Sequence, residues 1–204
     1  MKKRLTFLLA ALFVVSAASG FDVDIMDPVQ LILLECRHVG GPTQSDDLLA
    51  YAKAAGLSDA EMSERLVELV ELGLGDAPDF TERQLSLGAL WGLAHFGGEK
   101  ENDFVKEIMR TTNDETTRHI AVRVGIQMMP EKWEDWVREV VDNRSFDDLT
   151  RFDAYEEAFQ IGQSGDEKTK QHVEKVLWSL VEQDEYPGNQ ERLRRWARAL
   201  QDNE

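Results

Sequence analysis

Cysteine and proline are scarce in this 204-residue sequence, and cationic side chains are few beside the acidic ones. Cys36 is the only cysteine, which excludes an intramolecular disulfide and leaves stability to packing. Five prolines, and no long alternation of apolar with polar residues, argue against a strand-rich fold. Lys and Arg number 23 against 39 Asp and Glu, a formal charge of −16. A chain so acidic repels phosphate backbones, which excludes nucleic acid as a partner unless a basic face exists. The one basic concentration, Arg192, Arg194, Arg195 and Arg198, falls on the last helical segment, where cations offset the helix dipole. After residue 20 no apolar run approaches the roughly 20 residues that a spanning helix needs. Apolar residues still make up 42% and charged residues 30%, the balance of a folded domain with a sizeable core.

Residues 1–20 read as a signal peptide. Lys2, Lys3 and Arg4 form a basic start, Leu5 to Val15 is apolar except for Thr6, and Ser16 to Gly20 are small. Cleavage after Ala18 or Gly20 is expected, with the chain exported to a periplasm or secreted and no stable membrane insertion afterwards. Losing the leader makes the chain more acidic still.

Beyond it, apolar residues recur at helical spacing and short breakers separate them. Asp27-Pro28 predicts a first helix running to about His38 and stopping at Gly40-Gly41. Ser45 is expected to cap a second, ending at Gly56. Ser58, with Glu61 three residues on, is a capping box for a third that ends near Gly73. Further helices are expected at about 80–96, 99–111, 114–128, 131–142, 147–162, 166–184 and 189–201, with Asp114, Asp147 and Asp166 as caps. Nothing requires a strand.

The helix starts repeat. Asp79, Arg83 and Ser86 open one helix, Asp114, Arg118 and Ala121 another, and Asp147, Arg151 and Ala154 a third. The intervening segments share an i, i+1, i+4, i+5 stripe: Phe104, Val105, Ile108, Met109; then Trp136, Val137, Val140, Val141; then Val176, Leu177, Leu180, Val181. An earlier pair, 45–55 with 58–73, keeps the length without the Asp–Arg signature. This pattern resembles the HEAT and HEAT-like α-solenoids, specifically over 79–184 and loosely over 45–75. The resemblance implies an all-α, right-handed α-α superhelix, a short solenoid of antiparallel helix hairpins. Its organisation would be 1–20 leader, 21–44 N-terminal cap helix, 45–184 repeats and 185–204 C-terminal cap helix. It also implies that Asp79, Arg83, Asp114, Arg118, Asp147 and Arg151 link neighbouring repeats, and that the second helix of each pair lines the concave side.

Candidate chemistry is thin. His38, His95, His119 and His172 form no metal-ligand spacing, so no metal or other cofactor is expected. Cys36 and His38 are two apart on a helix and point away from each other, which suits a core thiol better than a catalyst. The pairs Asp46-Asp47, Asp147-Asp148 and Glu156-Glu157 fit solvated faces or first turns. Asp22, Asp24 and Asp27 lack the glycine and the bidentate Glu of a calcium loop. Trp91, Trp133, Trp136, Trp178 and Trp196 are expected to pack between repeats, and Asn143-Arg144-Ser145 is a glycosylation sequon.

The leading expectation is therefore a non-enzymatic adaptor that binds a basic protein or peptide through an acidic curved surface. Glu64, Glu68, Glu71, Glu107, Arg138, Glu139, Lys175 and Glu182 are the candidate contacts, on the polar edges of the second helices. The alternatives are a carboxylate-dependent hydrolase or lyase with a deep pocket, and a structural assembly subunit with an apolar end patch.

Overall fold

The computed structural model describes residues 27–35, 42–75 and 77–201. The leader, Asp22, Asp24, Cys36 and His38 lie outside these residues. Every regular element among them is helical: α1 (Pro28–Glu35), α2 (Pro42–Ala55), α3 (Asp59–Gly73), α4 (Phe80–Phe96), α5 (Glu99–Thr111), α6 (Glu115–Met128), α7 (Trp133–Asp142), α8 (Asp148–Ser164), α9 (Glu167–Val181) and α10 (Pro187–Gln201). A 3-10 turn, Pro130–Lys132, leads into α7 where a continuous α-helix from 131 was expected. No described helix is long and apolar enough to cross a membrane.

The starts are set by side-chain caps. Asp27 accepts from the amide of Val29 at 2.9 Å. Asp79, Asp114, Asp147 and Asp166 each accept from the amide three residues on, at 2.7 to 2.8 Å. The Ser58 and Glu61 capping box is present in both directions. α2 is the exception. It begins at Pro42, not at a Ser45 cap, because a proline at the first position has no amide to satisfy. Two further boundaries move: α9 stops at Val181, short of 184, and α10 begins at Pro187, before 189.

Contacts between named residues fix the helix directions. Ser86 Oγ donates to the Val70 carbonyl, while Gly92, six residues later, faces Leu66, four residues earlier, so α3 and α4 run antiparallel. Arg123 meets Asp153 and Gln127 meets Glu157; both partners advance by four, so α6 and α8 run parallel. Two rows result. In one, α4, α6, α8 and α10 pack each on the next; in the other, α3, α5, α7 and α9 each lean on that row. The tightest pairs are α3 with α4 and α9 with α10. The Asp–Arg helices α4 and α6 thus pair more closely with the helix before them than the repeat reading suggested, while α8 packs on both α7 and α9. The expected pairing of 45–55 with 58–73 is not the one adopted: α2 packs on α1 and α4.

The three apolar stripes are buried as their spacing requires, with only Phe104 part-exposed. Small residues sit where helices approach: Ser86, Ala121 and Ala154 are all buried. Trp133 and Trp136 are core residues, and Trp196 stacks on Phe159 with ring centroids 5.2 Å apart.

Candidate functional site

The Asp–Arg residues form a ladder along the joints between the rows. Arg118 donates to the Thr112 carbonyl and lies 3.9 Å from Asp147, the cap of the next unit. Arg151, almost fully buried, donates to the Asn143 carbonyl and lies 3.6 Å from Glu185. Beside that last rung, Asp184 accepts from the Tyr155 hydroxyl at 2.6 Å and from the Tyr186 amide at 2.7 Å. Burial and the Asp184 carboxylate push the Tyr155 phenol far up, so it stays a donor. The ladder therefore reaches one step beyond the three units visible in the sequence. Its first arginine differs from the rest. Arg83 is exposed, and its side chain makes no hydrogen bond or ion pair among the described residues; only its backbone amide donates, to the Asp79 carbonyl. Asp114, the cap it faces, is held below the usual carboxylate range by the Thr117 hydroxyl and amide, with Arg83 and Arg118 adding their charge.

A second charged cluster joins α6 to α8. Arg123 donates to Asp153 at 2.7 and 3.0 Å, to Glu157 at 3.0 Å, and to Glu156. Gln127 donates to the other Glu157 oxygen. His119 lies between Asp147 and Asp153, 3.5 Å from each. Burial pushes Asp153 and Glu157 above the ordinary carboxylate range despite Arg123. Glu156-Glu157 and Asp147 were expected on solvated faces or first turns. Glu157 is instead buried; Asp147 caps the first turn of α8 as expected and is half-buried between helices. The carboxylates here share Arg123, Gln127 and His119 as partners.

The candidate contact residues separate into two groups. On α3, five carboxylates accompany one arginine. Arg65 is engaged by Asp27 at 3.3 Å and Glu61 by Ser58. Glu64, Glu68 and Glu71 are exposed, make no ion pair among the described residues, and share a stripe at i, i+4, i+7. Glu107 on α5 is exposed as well. Glu139 on α7, however, is half-buried and tied to α5 through Arg110 at 2.5 Å and Lys106 at 3.6 Å. Arg138 pairs with Glu134 on its own helix, and Glu134 reaches His172 on α9 at 2.8 Å. Lys175 and Glu182 are exposed on α9 and just past its end, on the far side of those pairs in the sequence. The structure thus groups Glu64, Glu68 and Glu71, sets Glu107 beside the Glu139 pairs, and brings neither Lys175 nor Glu182 to them.

A large concavity among the described residues was not anticipated. It is a half-open cleft of about 930 Å³ between the α3–α4 and α5–α6 joints. Leu74, Pro78, Phe80, Leu87 and Ile108 give it apolar walls; Arg83, Gln84, Asp114 and the Thr111–Asn113 joint give it polar ones. Phe80 is 78% exposed and Leu72 and Leu74 more than 40%. Apolar residues in a joint and at the first position of a helix, where polar ones normally sit, are the signal a sequence reading could have used. The cleft holds one carboxylate and no histidine. No group of three His, Cys, Asp or Glu residues among those described could hold a metal ion.

Compared with known proteins, the chain matches no family model, no curated protein and no solved structure.

Proposed function

We propose that this protein is an exported, non-enzymatic adaptor built as a HEAT-like solenoid, and that it holds a basic protein or peptide segment against the acidic surface of α3 and α5. The observation that carries this reading is the unpaired stripe Glu64, Glu68 and Glu71. On α7, Glu139 is paired with Lys106 and Arg110 of the neighbouring helix, whereas Glu64, Glu68 and Glu71 on α3 are exposed and make no ion pair among the described residues. Like charges at i and i+4 weaken a helix by a few tenths of a kcal/mol, and a cationic partner relieves that repulsion. The all-helical stack supports the solenoid, and the basic-apolar-small order of residues 1–20 supports export. Among the earlier candidates, Glu139 and Arg138 become scaffold residues in this reading, while Glu64, Glu68, Glu71 and Glu107 remain contacts. Crosslinked capture from the native exported fraction identifies the partner. Lys at positions 64, 68 and 107 together should then weaken its binding at least about tenfold, mainly through slower association at low salt. Unchanged affinity for every captured partner rules the acidic surface out.

A further inference from the structure

The α3 stripe does not end in open surface. Leu74, an exposed residue that lines the cleft, follows Glu71 by three residues, the spacing of neighbours on a helix surface. The acidic stripe and the apolar cleft are consecutive parts of one surface. Glu64 to Glu71 spans about 10 Å of helix axis, with a rise of about 6 Å between Glu64 and Glu68. An extended peptide advances about 6.6 Å per two residues, against about 6 Å from Glu64 to Glu68 and about 4.5 Å from Glu68 to Glu71, differences that long Lys and Arg side chains span. We infer that the occupant is an extended peptide segment with one apolar anchor residue in the cleft, followed at alternate positions by Lys or Arg lying along Glu71, Glu68 and Glu64.

This inference rests on the adaptor reading and adds the anchor to it. The apolar part is what charge complementarity alone does not explain. Phe80 is the most exposed large apolar residue described, and it sits on the wall of this cleft. A side chain of Leu or Phe size against Phe80, Leu74, Leu87 and Ile108 removes apolar surface from both partners. The cleft's own charges do not favour an anionic ligand. Arg83 is its only cation, with Asp114 beside it and the acidic stripe at its mouth. In the Arg123 cluster, Arg123 and Gln127 already donate to Asp153, Glu156 and Glu157.

The test uses the full chain and a defined probe, the C-terminally amidated and fluorescein-labelled peptide Leu-Gly-Lys-Gly-Lys-Gly-Lys, followed by fluorescence anisotropy. Replacing its leucine with alanine should lower affinity at least about tenfold. Phe80→Ser and Asn113→Trp should each do the same to the leucine peptide and have little effect on the alanine peptide. Phe80 and Asn113 are exposed, so unchanged melting curves are expected and serve as the folding control. Glu68→Lys should weaken both peptides and flatten the salt dependence. Equal binding of the two peptides, with indifference to Phe80→Ser, overturns the anchor. If Glu68→Lys still weakens binding in that case, the acidic adaptor surface stands without it. Indifference to all three substitutions, or no binding of the probe, overturns both.

Discussion

Gly125 lies so close to the indole of Trp136 that an added Cβ would sit 2.0 Å from the ring. The ring is fully buried on α7 and has nowhere to move. Elsewhere in a helix interior, glycine to alanine gains about 1 kcal/mol from propensity. Here the overlap reverses the sign, and Gly125→Ala should destabilise by about 1–3 kcal/mol, the usual range for overpacking. Thermal unfolding followed by circular dichroism measures this, with Gly188→Ala as the contrast. Nothing lies within 4 Å of a Cβ at Gly188, so that variant should be neutral or slightly stabilising. A Gly125→Ala protein as stable as the parent would mean that α6 and α7 are not held at this spacing. Gly73 shows the same device between α3 and α4, where a Cβ would meet Ser86 at 2.2 Å. The small residue three after each ladder arginine is small because a neighbouring helix passes there.

Between elements, the Arg123 cluster is the strongest electrostatic link, and its pH dependence follows from burial. Asp153 and Glu157 have raised pKa values in the folded chain, so the folded state binds more protons than the unfolded one above about pH 4. Their contribution therefore favours folding at low pH and is lost as pH rises through the folded values. Asp114 and Asp166 act oppositely: their lowered values give stability above about pH 4 that is lost below it. Arg123→Met removes the cation that offsets the buried pair and should cost about 3–5 kcal/mol at pH 7. Part of that loss should return at pH 5, as Asp153 and Glu157 take up protons, while the parent changes little. Urea denaturation at the two pH values is the measurement, and equal destabilisation at both would contradict the assignment. None of these links could be read from the sequence, although the helices that carry them could. Caps such as Ser58 and Asp79 are local, satisfied within three residues, and so the helix starts they set were legible. Periodicity likewise named the faces that became buried. It does not say which helix covers a face, so the close pairing of α3 with α4 and the placement of α2 on α1 and α4 were missed. Glu139 and Glu68 look alike in sequence; only the approach of α5 to α7 places Lys106 and Arg110 on one of them. The cleft was hidden for the same reason, since its two joints lie more than 30 residues apart.

Across the whole molecule, contacts run mainly between neighbours in the stack, and stability in such a chain is close to a sum of local terms. The acidic surface lies towards one end and the basic helix α10 at the other. α10 packs on α8 and α9, with Leu193, Ala197 and Leu200 buried and Trp196 stacked on Phe159. Gly162 on α8 faces Leu200 closely enough that a Cβ there would lie 3.1 Å from it. A chain ending at Tyr186 exposes that apolar face of α8 and α9 while leaving α3, α4 and the cleft without a changed neighbour. Hydrogen exchange should then show amides of α8 and α9 losing protection by at least about tenfold, 1.4 kcal/mol of local opening. Protection in α3 and α4 should be unaltered, and peptide binding at the cleft with it. A uniform loss along the chain would mean that the ladder from Arg118 to Glu185 couples the units into one cooperative block. In that case the ion pairs between joints, rather than the apolar contacts within each pair, would set the size of the unfolding unit.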